Sequence, residues 1–186
     1  MGRKLITIIG GARSGKSRLA VELARAHGRQ VLFVATAQPS DAEMERRIGA
    51  HRRERPMEWK TVEAPTGVGR AIAAAGDGCD TVIVDCITLL VSNLMRHEEM
   101  PQEPLEADAD AEIDALLEAY RALEATFLVV TNEVGLGIVP AYAAGRVYRD
   151  VLGRVNRRLA ESADQAVMLV AGIPVDLKRL RAEILF

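Results

Sequence analysis

Residues 10–17 read GGARSGKS, which fits G-x-x-x-x-G-K-[ST] and lies directly between the apolar run KLITII, residues 4–9, and a helical pattern. The bare pattern occurs by chance; the strand, loop and helix around it give it weight. In that setting the glycines let the backbone turn tightly, so that successive N–H groups face phosphate oxygens and the next helix adds its positive end. Gly10, Gly11, Ala12, Arg13, Ser14 and Gly15 then form a phosphate cradle, with Lys16 meeting the β- and γ-phosphates and Ser17 ligating Mg2+. The helix is expected over Lys16 to His27, with Leu19, Ala20 and Leu23 toward a sheet and Gly28 ending it.

Further short β-rich runs follow: QVLFVAT (30–36), TVIVD (81–85), TFLVVT (126–131) and QAVMLVAG (165–172), with EWKTVE (58–63) as an additional short strand. Amphipathic or alanine-rich segments separate them. This alternation predicts an α/β fold, a P-loop NTPase-like (RecA-like) three-layer sandwich with a mainly parallel sheet covered by helices on both faces. The 186 residues suit one domain, 1–186.

Apolar residues make up 49% and charged residues 27%, with a net charge of −2, so the chain has no general affinity for polyanions. Nucleic-acid binding and membrane insertion are not expected. Cys79 and Cys86 are too few for a disulfide framework and wrongly spaced for C-x-x-C, which predicts reduced thiols and a cytoplasmic protein without cysteine-held metal. Residues 97–120 hold nine acids and no Lys or Arg. Their first half, HEEMPQEPLEAD, reads as a surface loop because of its two prolines, and a helix is expected from Ala109 to Leu123; the acids read as a solvated face.

Asp85 ends a buried strand, where it is placed to hold Mg2+ or its water shell opposite Ser17. Two other strand ends reach the same rim: Ala35, Thr36 and Ala37, and Thr131, Asn132 and Glu133. Glu133 suits positioning of a water or hydroxyl, and equally suits capping of the next segment. A GTPase switch would carry N-K-x-D and D-x-x-G, whereas the nearest stretches are TNEVG and DCIT. A small-molecule phosphotransferase is favoured.

The arginines cluster in IGAHRRERPMEW, residues 48–59. Ser40 and Glu43 form a capping box for a helix from Asp41 to Glu54, and early acids with late arginines match the helix dipole. Met44, Ile48 and His51 fall on one apolar stripe read as inward-facing, while Arg47, His51 and Arg55 share a second row. Spacing alone leaves His51 between a core histidine and a nucleophile. His27 and His97 sit at a helix end and at the start of the acidic stretch, with no comparable setting.

Taken in order, GGARSGKS, VLFVATAQ, RIGAHRRERPMEWKTVE, VDCITLLVSNL, VVTNEVGLGIVP and GRVNRRLAESADQAVMLVAGIP resemble the bifunctional adenosylcobinamide kinase/adenosylcobinamide-phosphate guanylyltransferase family of cobalamin biosynthesis. The resemblance implies phosphorylation of adenosylcobinamide by ATP or GTP, then transfer of GMP from GTP through a guanylylated histidine, which His51 matches. It also implies a nucleotide site of residues 10–17, Ala35 to Ala37, Arg52, Arg53, Glu54, Arg55, Glu63 and Asp85. Glu63 would read guanine, since one carboxylate can accept from N1–H and the exocyclic amine together. Corrinoid and nucleotide substrates, Mg2+ and a homotrimer are further implications. The alternative is a monofunctional P-loop kinase with a structural His51; a nucleic-acid module using the Arg46 to Arg55 cluster is a third reading.

Overall fold

A computed structural model describes residues 2–39, 41–97 and 100–185, with the side chains of Arg47, Glu54 and residues 182–185 outside that description. The strands are β1 (Lys4–Gly10), β2 (Val31–Ala35), β3 (Lys60–Glu63), β4 (Thr81–Asp85), β5 (Thr126–Val130), β6 (Gln165–Val170) and β7 (Ile173–Asp176). The helices are α1 (Lys16–His27), α2 (Ala42–Glu54), α3 (Val68–Ala75), α4 (Ile87–Leu94), α5 (Gln102–Ala122), α6 (Ala143–Ser162) and α7 (Leu177–Leu185).

The strands form one sheet in the order β3-β2-β4-β5-β1-β6-β7. Every pairing is parallel except the terminal β6–β7 hairpin. β5 thus lies between β1, which feeds the phosphate loop, and β4, which ends in Asp85: the expected RecA-like arrangement. The central strands are buried on both faces, which is why they read as continuous apolar runs. Leu5, Leu32, Val34, Val82, Val84, Phe127 and Val129 meet the helices α3 to α6 on one face. Ile6, Ile8, Phe33, Ile83, Leu128 and Val130 meet Ala20 and Ala24 of α1 on the other.

Gly28 does end α1, in an extended conformation (φ −88°). A Cβ there would lie 2.7 Å from Thr81 Oγ1 and 2.8 Å from Val31 Cγ2, so close approach to the sheet is what demands glycine.

The proline-bearing stretch after residue 100 is helical where a loop was expected. α5 begins at Gln102 with Pro101 as its N-cap, so Pro104 occupies the first turn, where its missing N–H removes no intrahelical bond. The acids are also matched rather than merely solvated. Asp110 takes Arg154 and Arg158 of α6 at 2.8 Å each, and Glu106 and Asp114 extend the row. α4, β7 and α7 are additional to the expected elements. Pro174 is compatible with β7 because that strand is the sheet edge.

Candidate active site

The phosphate loop turns into α1 at Gly15, whose φ of +96° falls in the left-handed region. Lys16 is buried, and its ammonium donates to Gly11 O at 2.6 Å and Ser14 Oγ at 3.4 Å. Burial pushes its pKa down, against the opposing charges of Cys86 and Asp85. Ser17 Oγ donates to Asp85 Oδ1 at 3.2 Å across the gap between loop and β4. Burial holds the Asp85 carboxyl above the usual carboxylate range, opposed by the Ser17 hydrogen bond and by the charges of His51, Arg55 and Lys16.

These groups line a cleft of about 780 Å3, large enough for a nucleotide. Ala12 to Ser17, Ala35, Ala37, His51, Arg52, Arg55, Glu63 and Asp85 all face it. Gly10 and Gly11 do not: Gly10 packs against the Leu169 carbonyl of β6, and Gly11 offers its carbonyl to Lys16. Thr36 lies behind the cleft, fully buried. Its hydroxyl donates to Cys86 O at 2.7 Å and accepts from Cys86 N at 2.8 Å, clipping the ends of β2 and β4 together.

α2 begins at the N-cap Asp41, whose carboxylate accepts from Met44 N at 2.8 Å. The expected partner Ser40 lies outside the described residues. Among the described side chains, α2 supplies none to either core cluster. Its Met44, Ile48 and His51 stripe instead lines the cleft, so His51 is exposed to the cleft rather than set into the core as the periodicity suggested. An amphipathic stripe needs an apolar or shielded side to face; here that side is the cleft wall. Arg53 is exposed and points elsewhere, and the Arg47 and Glu54 side chains lie outside the described residues.

Arg55 follows α2 and lays its guanidinium 3.6 Å from the centroid of Phe33, with its Nε buried and without a hydrogen-bond partner among the described residues. Burial lowers its pKa, opposed by Asp85, while Arg52 lowers it further. Arg52 forms an ion pair with Glu63, which joins the end of α2 to the end of β3.

Just past β5, Thr131 turns inward to Asn156, Asn132 faces the cleft, and Glu133 folds back to accept from Gly135 N at 2.5 Å. Glu133 thus closes a local turn on Gly135, while the next helix, α6, has Tyr142 at its N-cap. Asn132, which the sequence placed at the rim without a role, is a cleft residue, and so are Cys86, Thr88, Leu89 and Val130, which sequence reasoning did not assign. The period-two alternation from Val130 would have found Asn132, and proximity to Asp85 would have found Cys86 and Thr88.

A family model described as cobinamide kinase / cobinamide phosphate guanyltransferase matches residues 6–177. The bifunctional adenosylcobalamin biosynthesis protein CobP of Pseudomonas aeruginosa is 41% identical over 171 residues, covering 92% of this chain and 95% of that protein. The proteins named CobU from Escherichia coli and Salmonella typhimurium are each 40% identical over 181 residues, covering 94% of this chain and 99% of theirs. Among solved structures, an ATPase of the type III secretion system of pathogenic bacteria superposes with a TM-score of 0.58 at 11% identity. It is matched by the whole of this chain over 55% of its own length, a likeness of fold alone.

Proposed function

The chain belongs to the cobinamide kinase / cobinamide phosphate guanyltransferase family, and on that premise we infer that it is a bifunctional transferase of cobalamin biosynthesis. It phosphorylates the aminopropanol hydroxyl of adenosylcobinamide with ATP or GTP, then transfers GMP from GTP to adenosylcobinamide phosphate. The observation that carries this reading is the shared cleft: the phosphate loop and His51 line one wall-to-wall site.

In the first reaction Lys16 leaves Gly11 O and Ser14 Oγ for the β- and γ-phosphates, while backbone N–H groups of residues 12–17 hold their oxygens. Ser17 and Asp85 offer two hard oxygen donors on facing elements, a set that suits Mg2+, which takes one or two protein oxygens and completes its shell with phosphate and water. Bound there, Mg2+ would offset charge on the phosphates.

In the second reaction an imidazole nitrogen of His51 attacks the α-phosphorus of GTP. A P–N bond forms, the bond to the α–β bridging oxygen breaks, and pyrophosphate leaves with the electron pair. A phosphate oxygen of adenosylcobinamide phosphate then displaces the imidazole, giving adenosylcobinamide-GDP and restoring His51. Arg55 and Arg52 offset charge on the transferring group, and Glu63 takes the guanine edge in exchange for Arg52. The exposure of His51 to the cleft favours this over the monofunctional kinase with a structural His51.

A homotrimer acting in the cytoplasm, without nucleic acid, completes the proposal. Exposed Leu136, Ile138, Val139 and Tyr142 after β5 support self-association, and light scattering of the purified protein tests it. Among the described residues no helix is long and apolar enough to cross a membrane. The functional test is stepwise. With adenosylcobinamide, ATP and Mg2+ the enzyme should yield the phosphate, and added GTP should convert it to adenosylcobinamide-GDP with release of pyrophosphate. Accumulation of the phosphate with no further conversion would overturn the guanylyltransferase assignment.

A further inference from the structure

The β5 rim carries a side chain whose backbone is clamped from behind. Thr131 N donates to Ile8 O at 2.9 Å and Glu133 N to Gly10 O at 3.0 Å, so the extended ladder against β1 continues past the end of β5. Val130 stands in register with Ile8 of β1 and Asp85 of β4, on the sheet face covered by α1. Alternation therefore puts Asn132 on that same face, beside Ser17 and Asp85, and Thr131 on the α6 face.

The hydrogen bonds follow that division. Thr131 Oγ1 donates to Asn156 Oδ1 at 2.7 Å, and Asn156 Nδ2 donates to Asn132 O at 2.8 Å. Asn132 N donates to Thr88 Oγ1 at 2.8 Å, and the Thr88 carbonyl accepts from Tyr148 Oη at 3.1 Å. Thr88, Thr131 and Asn156 are all buried. Both backbone groups of Asn132 are thus held by buried side chains from α4 and α6, and both ends of the Asn156 amide are used. Buried polar networks of this kind fix geometry when fully satisfied. What they fix here is a primary amide facing the cleft between β1, which feeds the phosphate loop, and β4, which ends in Asp85.

We propose that Asn132 is a catalytic residue of phosphoryl transfer, its Nδ2 donating to a γ-phosphoryl oxygen, with Thr88 and Asn156 as the residues that position it. This rests on the kinase half of the proposed function. In the step, the acceptor hydroxyl oxygen bonds to the γ-phosphorus as the bond to the β–γ bridging oxygen breaks. The nucleoside diphosphate leaves with the electron pair, the hydroxyl proton passes to water, and Asn132 exchanges no proton. A neutral donor suits this place: Lys16 already supplies charge, and the amide adds a directed hydrogen bond to oxygens whose charge shifts in the transition state.

The test compares Asn132→Ala and Asn132→Asp with wild type in adenosylcobinamide phosphorylation and in equilibrium binding of GTP and GDP. For Asn132→Ala the expected results are a fall in kcat of about 100-fold, an unchanged KM for adenosylcobinamide, weakened GTP binding and GDP binding within about twofold of wild type. Asn132→Asp, which sets a carboxylate against phosphate, should lose GTP binding further while keeping that of GDP. A kcat for Asn132→Ala within about threefold of wild type overturns the proposal, as does parallel loss of GTP and GDP binding, which marks a scaffold role. If the wild-type enzyme itself phosphorylates nothing, the functional reading fails. The binding arm still decides for Asn132, since only a γ-phosphate contact separates GTP from GDP.

Discussion

The Arg55 guanidinium stacks over Phe33, 3.6 Å from the ring centroid, so the cation one turn beyond His51 is held by an aromatic face of β2. Phe33 is itself buried, which makes the platform rigid. A planar, delocalised cation can stack and still present N–H groups to a phosphate; an ammonium on a flexible stem cannot do both. Arg55→Lys is therefore not conservative. It should slow GTP-dependent labelling of the enzyme by about 10- to 100-fold, equivalent to losing a desolvated stacking contact and a charge-assisted hydrogen bond. Rapid-quench measurement of the labelling rate checks this; an unchanged rate would place Arg55 outside the transfer step.

Glu63 pairs with Arg52 at the cleft mouth, both side chains being 57% exposed. An exposed pair of this kind contributes at most about 1 kcal/mol to stability, so exchanging it for a ligand contact costs little. Glu63→Gln should weaken GTP binding by about tenfold or more, because an amide cannot accept from both N1–H and the exocyclic amine. ATP binding and the melting temperature should be unaffected. Isothermal titration with both nucleotides separates the cases, and equal loss for ATP and GTP would remove Glu63 as a guanine reader.

The Asp85 carboxyl is buried at the expense of stability. Its folded pKa lies above the ordinary value of 3.8, because burial outweighs Ser17 and the surrounding cations. The stability linked to its protonation is fully present below that ordinary value and is lost as pH rises through the raised one. Above that raised value the metal-free protein carries an unfavourable ionised carboxylate. Asp85→Asn should raise the metal-free melting temperature by about 2–4 °C while lowering phosphoryl transfer at least about 100-fold. Thermal melts without Mg2+, paired with activity, read both; a lower melting temperature would contradict the argument.

Cys86 lines the cleft beside Asp85, and burial, then the Asp85 charge, push its thiol up to about 11, against bonds from Leu89 N–H and Thr88 and the charge of Lys16. With the pKa raised, the thiol predominates below about 11, and at pH 8 only about a thousandth is thiolate. Alkylation by iodoacetamide should be slow at neutral pH and rise about tenfold per pH unit toward that value. Peptide mass spectrometry across a pH series tests this, and a rate that levels off near pH 8 would refute it.

The sequence made local features legible and left mutual ones hidden. Lys16, Ser17 and the turn at Gly15 follow from spacing within one short loop, and the strand ending in Asp85 from its own apolar run. Periodicity located the stripe of Met44, Ile48 and His51 but not what it faced, because a cleft wall and a core impose the same pattern. The acids of α5 read as solvated because their partners Arg154 and Arg158 are more than forty residues away in the chain. Thr36 read as a nucleotide contact from its neighbours Ala35 and Ala37, yet its hydroxyl serves the backbone of Cys86. At residues 131–133 charge drew attention to Glu133, whereas strand alternation from Val130 points to Asn132.

The central claim is that His51 carries GMP. Incubation with α-labelled GTP and Mg2+, followed by proteolysis and mapping, should place one acid-labile, base-stable GMP on His51, and His51→Ala should abolish the label. A label on another residue, one that survives His51→Ala, or none from an enzyme that still phosphorylates adenosylcobinamide would contradict the account.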